Sequence, residues 1–237
     1  MNTTIADYTS PQSMALHKVT IGPITLKVLD YSLSMTSYFV FRELAADHYK
    51  LNQRPMPDGA VILDIGANVG IVSIYMAKLF RGATIYAYEP LSLNYDNLCK
   101  NIEINDVSNV VPINKGVTAD GRDLIMRFNF DNMGGATAVV GQPPYNEASA
   151  SSVTLPSILE THGIERVAFL KMDVEGAEHE ILASCNGTLD KVDFLAMEAH
   201  FSNGLRAKGY NAQTLQRSLQ PLINRKALQV TAQEVPG

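Results

Sequence analysis

The decapeptide VILDIGANVG, residues 61–70, constrains the fold more than any other stretch of the chain. Its apolar run ends in Asp64 and reads as a buried strand; Gly66 and Gly70 then bracket a tight turn that opens a helix. A strand that hands over to a helix through a glycine turn is the first unit of a parallel sheet. In open sheets of that kind the ligand lies beyond the carboxyl ends of the strands, where the topology reverses.

From residue 60 onward the chain repeats that rhythm. TIYAYE, NVVPINKGV, VAFLKMD and VDFLAMEAH read as strands, with KALQVTAQEV as a last one. Helical runs separate them at about 70–80 and 91–105, in EGAEHEILASC, and at about 211–223. In SSVTLPSILETHG, Thr154 is placed to cap a helix that has Pro156 in its first turn. Strands alternating with helices of this length pair in parallel through right-handed crossovers. The expected fold is therefore α/β, a doubly wound sheet covered on both faces.

Two stretches depart from the rhythm. Residues 1–57 hold a hairpin, HKVTIGPITLKVLD turning at Gly22-Pro23, and a helical run through Tyr38, Phe41, Leu44, Ala45 and Tyr49 that Pro55 and Pro57 follow. We read them as a cap on a main domain spanning 58–237. Within 122–140, RDLIMRFNF alternates as a strand, NMGG turns and ATAVV returns, which predicts an inserted β-hairpin.

With 237 residues, 46% of them hydrophobic, such a chain can bury a full core. Its net charge of −5 and its scattered lysines and arginines offer no basic stripe. Nucleic acids and anionic membranes are bound through such stripes, so neither is an expected partner. The apolar segment around 60–80 is broken by Asp64, Asn68 and glycines, which predicts no membrane span. Cys99 and Cys185 stand far apart without ligand spacing, and the polar opening MNTTIADYTSPQSM has no basic-then-apolar leader. We expect a cytoplasmic protein; its oligomeric state is not legible.

The glycine loop poses the question of the ligand. A dinucleotide turn prefers G-x-G-x-x-G, so that a pyrophosphate can approach the helix N-terminus. Here Asn68 holds the middle position, and Asn is among the residues that most readily enter the left-handed region after glycine. Asp64 precedes the loop, where a carboxylate repels a pyrophosphate and suits a cation. Glu89 closes the second strand, where a carboxylate accepts the hydroxyls of a ribose. Together they point to a positively charged nucleoside, and S-adenosyl-L-methionine is the candidate.

VILDIGANVG, IYAYEP, FLKMDVEGAEHEIL and LAMEAH, in this order over about residues 58–205, resemble the FkbM family of S-adenosylmethionine-dependent methyltransferases. The resemblance implies a Rossmann-like class I methyltransferase sheet and transfer of a methyl group to a hydroxyl of a small metabolite or sugar, in natural-product or glycan biosynthesis. Position by position it implies a cofactor loop of Asp64, Gly66, Ala67, Asn68 and Gly70. Glu89 would hold the ribose with Pro90 beside it, Gly116 and Val117 would lie near the adenine, and Asp173 would border both cofactor and acceptor.

Methyl transfer is an in-line displacement, so nucleophile, methyl and sulfur must be held nearly collinear, and an alcohol must also lose its proton. Asp173, Glu198 and His200 stand at strand ends as candidate catalytic residues. Two readings stay open: His200 as general base, oriented by Asp173 or Glu198, or all three holding a divalent ion, magnesium or manganese, that acidifies the hydroxyl. Glu175 is expected to assist the N-terminus of the next helix, while Glu178 and Glu180 are expected to face solvent. Lys171 alternates with Asp173 along the strand and is expected to pair with an acid.

Tyr31, Met35, Tyr38 and Phe39 of the cap, with Met133, Gly134 and Tyr145 of the 131–147 stretch, are expected to close over the acceptor. GQPPYNE at 141–147 is similar to the N-P-P-Y signature of amino-methyltransferases. Its first residue is Gln142 and it precedes the fourth strand instead of following it, so we read it as a turn. The alternatives to O-methylation are a small-molecule N-methyltransferase, which needs no strong base, and a non-catalytic protein that keeps the nucleoside pocket. An NAD-linked dehydrogenase is the confounder at the level of fold.

Overall fold

The computed structural model describes residues 13–31, 34–130, 132–139, 145–185 and 187–235. The Gln142-Pro143-Pro144 turn lies outside the described residues, as does the chain before Ser13.

The hairpin is formed by β1 (Met14–Ile21) and β2 (Ile24–Tyr31), paired antiparallel across Gly22-Pro23, and α1 (Thr36–Ala45) follows. Alternation sorts β2: Leu26 and Val28 are fully buried and join the main core. Each such side chain contributes about 1.5–3 kcal/mol on burial. The free edge of β2 is clamped by two asparagines that act as surrogate peptide groups. Leu29 N–H donates to Asn101 Oδ1 at 2.7 Å and Lys27 N–H donates to Asn105 Oδ1 at 3.0 Å, while both amides donate back to the β2 carbonyls.

The alternating region follows in chain order: β3 (Val61–Ile65), α2 (Ile71–Leu79), β4 (Thr84–Tyr88), α3 (Ser92–Ile104), β5 (Val110–Ile113) and the short β6 (Gly116–Val117). Then come β7 (Leu124–Asn129), β8 (Asn132–Thr137), β9 (Asn146–Ala150) and β10 (Ser152–Val153), and α4 (Leu155–Thr161). The chain continues with β11 (Phe169–Met172), α5 (Glu178–Ser184), β12 (Leu195–Phe201), α6 (Asn203–Ala207), α7 (Ala212–Ser218), α8 (Gln220–Asn224) and β13 (Leu228–Glu234). Six strands form one parallel sheet in the order β13-β12-β11-β3-β4-β5. The chain winds outward from β3 through β4 to β5, then returns to β11 and winds the other way. The switch point therefore lies between β3 and β11. Thr154 and Ser157 close a capping box on α4, as the local sequence predicts.

The insertion differs from the expected hairpin. NMGG does not turn but forms most of β8, and the segment at 146–150 adds a third strand, giving an antiparallel sheet in the order β8-β7-β9. Gly134 and Gly135 suggested a turn, yet the strand is stabilised by what it packs on. Met133 is fully buried with Leu91, Leu124, Met126 and Phe128 in a second apolar cluster. The helical run at 211–223 is likewise two short helices, with Pro221 in the first turn of the second. Both cysteines are free thiols. No helix among the described residues is long and apolar enough to cross a membrane.

Candidate active site

The loop after β3 takes the conformation its sequence allows. Gly66, Asn68 and Gly70 have φ of +83°, +51° and +86°. Gly66 is also required by close approach: a Cβ there would lie 1.8 Å from the carbonyl oxygen of Asp173, because the ends of β3 and β11 meet at the switch point. A Cβ on Gly70 would lie 2.3 Å from Leu98 Cδ1, on the helix packed beside α2. Gly70 stands behind the loop, at the N-cap of α2.

Past these strand ends lies a cavity of about 470 Å³, within the range of small-molecule sites. Gly66, Ala67 and Asn68 line it, with Glu89 and Pro90 after β4 and with Gly116 and Val117 of β6. On the other side it is bounded by Asp173, Glu175 and Glu198. Three strand spacings separate the ends of β4 and β12, about 14 Å. The cavity therefore has two halves, one over β3 and β4 and one over β11 and β12.

Glu89 is 4% exposed. Its Oε2 accepts the Asn68 N–H at 2.8 Å and its Oε1 accepts the Leu91 N–H at 3.0 Å. Burial pushes its carboxyl up to about 7, although those two amides and the charge of Lys171 pull the other way. Asp64 does not face the cavity. Its carboxylate is fully buried behind the loop, where Oδ2 accepts the Ser73 hydroxyl at 2.5 Å and Oδ1 lies 3.4 Å from Lys171 Nζ.

Lys171 is the buried cation of the switch point. Its Nζ donates to the Gly66 carbonyl at 2.7 Å and lies 3.7 Å from Asp173 Oδ2. Burial disfavours its charge, but Asp64 and Asp173 outweigh that cost and hold its pKa above the usual lysine range. The expected acid partner of Lys171 is thus two acids, one on each side of it.

His200 is 1% exposed and is not on the cavity wall. Its Nδ1 lies 2.9 Å from Glu178 Oε1 and its Nε2 lies 3.5 Å from Glu175 Oε2. Burial alone would lower its pKa, yet Glu178, Glu175 and Asp173 raise it to about 9. Glu178 corrects the expectation that it faces solvent: it is fully buried, and its carboxylate accepts the N–H groups of Val174 and Gly176 as well as the contact to His200. The helix start is therefore served by Glu178, and Glu175 is freed to face the cavity. Glu180, partly exposed, pairs with Arg122 through both carboxylate oxygens.

Two carboxyls beside Asp173 carry the cost of this crowding. Burial, then the charge of Asp173, push Glu175 up to about 8 and Glu198 up to about 7. Asp173 Oδ1 is buried without a hydrogen-bond partner. Ligand atoms of Asp173, Glu175 and His200 lie within 4.8 Å of one another, so Glu175 stands where the metal reading had placed Glu198.

Of the residues expected to close over an acceptor, Phe39 and Gly134 line the cavity. Tyr31 and Met133 are buried in the second cluster, whereas Met35, Tyr38 and Tyr145 are exposed away from it. Three lining residues carry no recognisable signal in the sequence. Glu43 comes from α1 and Tyr49 from the segment after it, with Tyr49 Oη donating to Glu43 Oε2 at 2.8 Å, and Asn94 comes from the first turn of α3.

An open parallel sheet with its cavity at the switch point is the architecture of nucleotide-cofactor α/β enzymes. The chain belongs to the FkbM methyltransferase family: the family model described as Methyltransferase FkbM domain matches residues 64–219. It is therefore a methyltransferase, of an S-adenosylmethionine-dependent family with a Rossmann-like class I fold. It is similar to methyltransferase sdnD of Sordaria araneosa, 29% identical over 185 residues, which cover 64% of this chain and 70% of that protein. It is also similar to 31-O-demethyl-FK506 methyltransferase FkbM of Streptomyces tacrolimicus, 25% identical over 61% of this chain and 67% of that protein. A third relative is the hexuronic acid methyltransferase AglP of Haloferax volcanii, 23% identical over 59% of this chain and 56% of that protein.

Proposed function

We propose that the chain transfers a methyl group from S-adenosylmethionine to a hydroxyl of a small polar metabolite or sugar, with Glu198 taking the hydroxyl proton. The observation that carries this reading is Glu198 itself. Its carboxyl lines the acceptor half of the cavity, in β12 one residue past the level where β11 ends, and is held at about 7. A general base works best with a pKa near the operating pH. His200 is unsuited to that step, because its imidazole is buried, paired and held protonated near neutral pH.

The cofactor half fits a nucleoside with a positive charge. Gly66, Ala67 and Asn68 would lie along it, Glu89 and Pro90 at its ribose, and Gly116 and Val117 at its base. The cofactor's own chemistry is an activated methyl on a positively charged sulfur. Asp173, between the two halves, would border that charge. Asp64 would act indirectly, through Lys171, which donates to the Gly66 carbonyl of the loop.

Glu43, Asp173, Glu175 and Glu198 all face the acceptor half, and the two cations nearest them are already engaged, Lys171 with Asp64 and His200 with Glu178. That wall supports a neutral or cationic acceptor over an anionic one. The FK506 relative acts, by its name, at an oxygen, which agrees with O-methylation in natural-product biosynthesis. A divalent ion on Asp173, Glu175 and His200 is a second reading, favoured by their grouping. Such an ion must displace the proton of His200, and full activity after chelation excludes it.

The test is turnover with hydroxyl acceptors by wild type and Glu198→Gln. Loss of the base lowers kcat by about 10²-fold or more while binding of S-adenosylhomocysteine stays intact. A near-normal rate would sink the assignment, and tighter binding of NAD than of S-adenosylhomocysteine would sink the cofactor.

A further inference from the structure

Asn94 sits in the first turn of α3, is 1% exposed and lines the cavity beside Glu89 and Asn68. Its Nδ2 donates to the Met133 carbonyl at 3.2 Å, and its Oδ1 is buried with no hydrogen-bond partner. Turning the amide would set Oδ1 against the Met133 carbonyl oxygen, which also accepts from Asn68 Nδ2 at 3.4 Å. Buried acceptors are rarely left unpaired without a role.

We propose that the Asn94 carbonyl is a second ribose-binding group, accepting one hydroxyl of the cofactor's sugar while the Glu89 carboxylate accepts the other. This rests on the reading of the cavity as a site for S-adenosylmethionine. A vicinal diol offers two donors to one small patch of wall. Each oxygen of Glu89 already accepts a backbone N–H, from Leu91 and from Asn68. An amide carbonyl beside it adds an acceptor that does not titrate. The Asn94 amide also helps hold the Glu89 carboxyl down against burial, so the two groups act at the same place. Asn94 lies at the β4 side of the sheet, three strand positions from Glu198, so its carbonyl serves the cofactor and not the acceptor.

Calorimetry with S-adenosylhomocysteine and its 2′,3′-dideoxy analogue tests this. Asn94→Ala is expected to weaken the ribose form about tenfold and leave the dideoxy form unchanged. Loss of the Met133 contact would weaken both equally, so an equal loss, or none, overturns the proposal. Should Asn94→Ala not fold, Asn94→Leu keeps the volume and carries the same comparison. If wild type binds neither ligand, the cofactor reading falls and the proposal with it; if it binds both but the variant does not discriminate, only Asn94 fails.

Discussion

His200 Nδ1 lies 2.9 Å from Glu178 Oε1, and both side chains are buried. Glu178 also accepts the N–H groups of Val174 and Gly176, so this pair ties the end of β12 to the turn that follows β11. Asp173 and Glu175 stand on that turn. The pair therefore ties down the turn that carries the acid cluster, the positioning role we propose for His200 in place of proton removal.

Replacing one member of a buried pair leaves the other charge unmatched. His200→Ala is expected to destabilise the protein by about 3 kcal/mol. Glu198→Gln, at a carboxyl that burial already disfavours, is expected to leave stability unchanged or raise it while turnover falls. Thermal melts and initial rates of the two variants check this; a stable, inactive His200→Ala would return the base to His200.

The rate itself should follow Glu198. A base must be deprotonated to act, so kcat/KM is expected to rise with pH through about 7 and then level. Glu198→Gln should lose that rise. A profile that falls across the same range would contradict the assignment.

Stability should run the other way. The carboxyls of Glu89, Glu175 and Glu198 bind protons more tightly folded than unfolded, rising from an ordinary 4.5 to about 7, 8 and 7. Their contribution is complete below about 4.5 and is lost as pH rises through 7 to 8. His200, raised from 6.5 to about 9, adds a further loss as pH rises towards 9. Unfolding midpoints of the ligand-free protein are expected to drop between pH 6 and pH 8.5, with a shallower drop in Glu175→Gln. A midpoint that rises over that interval would contradict the burial argument.

Acceptor charge gives another test. Glu43, Asp173, Glu175 and Glu198 line the acceptor half, so a neutral sugar is expected to be methylated far better than the matching uronic acid. Glu43→Gln should narrow that ratio by lowering KM for the acid. Equal kcat/KM for the two sugars would remove the acidic wall from the account of specificity.

The sheet was legible because each strand and helix carries its own period, and Thr154, Gly66 and Asn68 carry local signals for a cap and a turn. The insertion was not, since the burial of Met133, and not local propensity, makes a strand of a glycine-rich segment. The acidic character of the site was readable, but the groups that express it were partly misplaced. Asp64 directs its charge to Lys171 behind the loop, whereas Glu43 reaches the cavity from α1, a contact that only tertiary packing creates. Glu178 was misread for the same reason: its place on α5 suggested solvent, and β12 covers it.

The most direct test is incubation with S-adenosylmethionine labelled in its methyl group and a panel of hydroxyl- and amine-bearing acceptors, with the products resolved by mass spectrometry and carbon NMR. The account predicts a labelled methyl ether on a neutral or cationic polar acceptor. Label on nitrogen alone, or tight cofactor binding with no label on any acceptor, would contradict it.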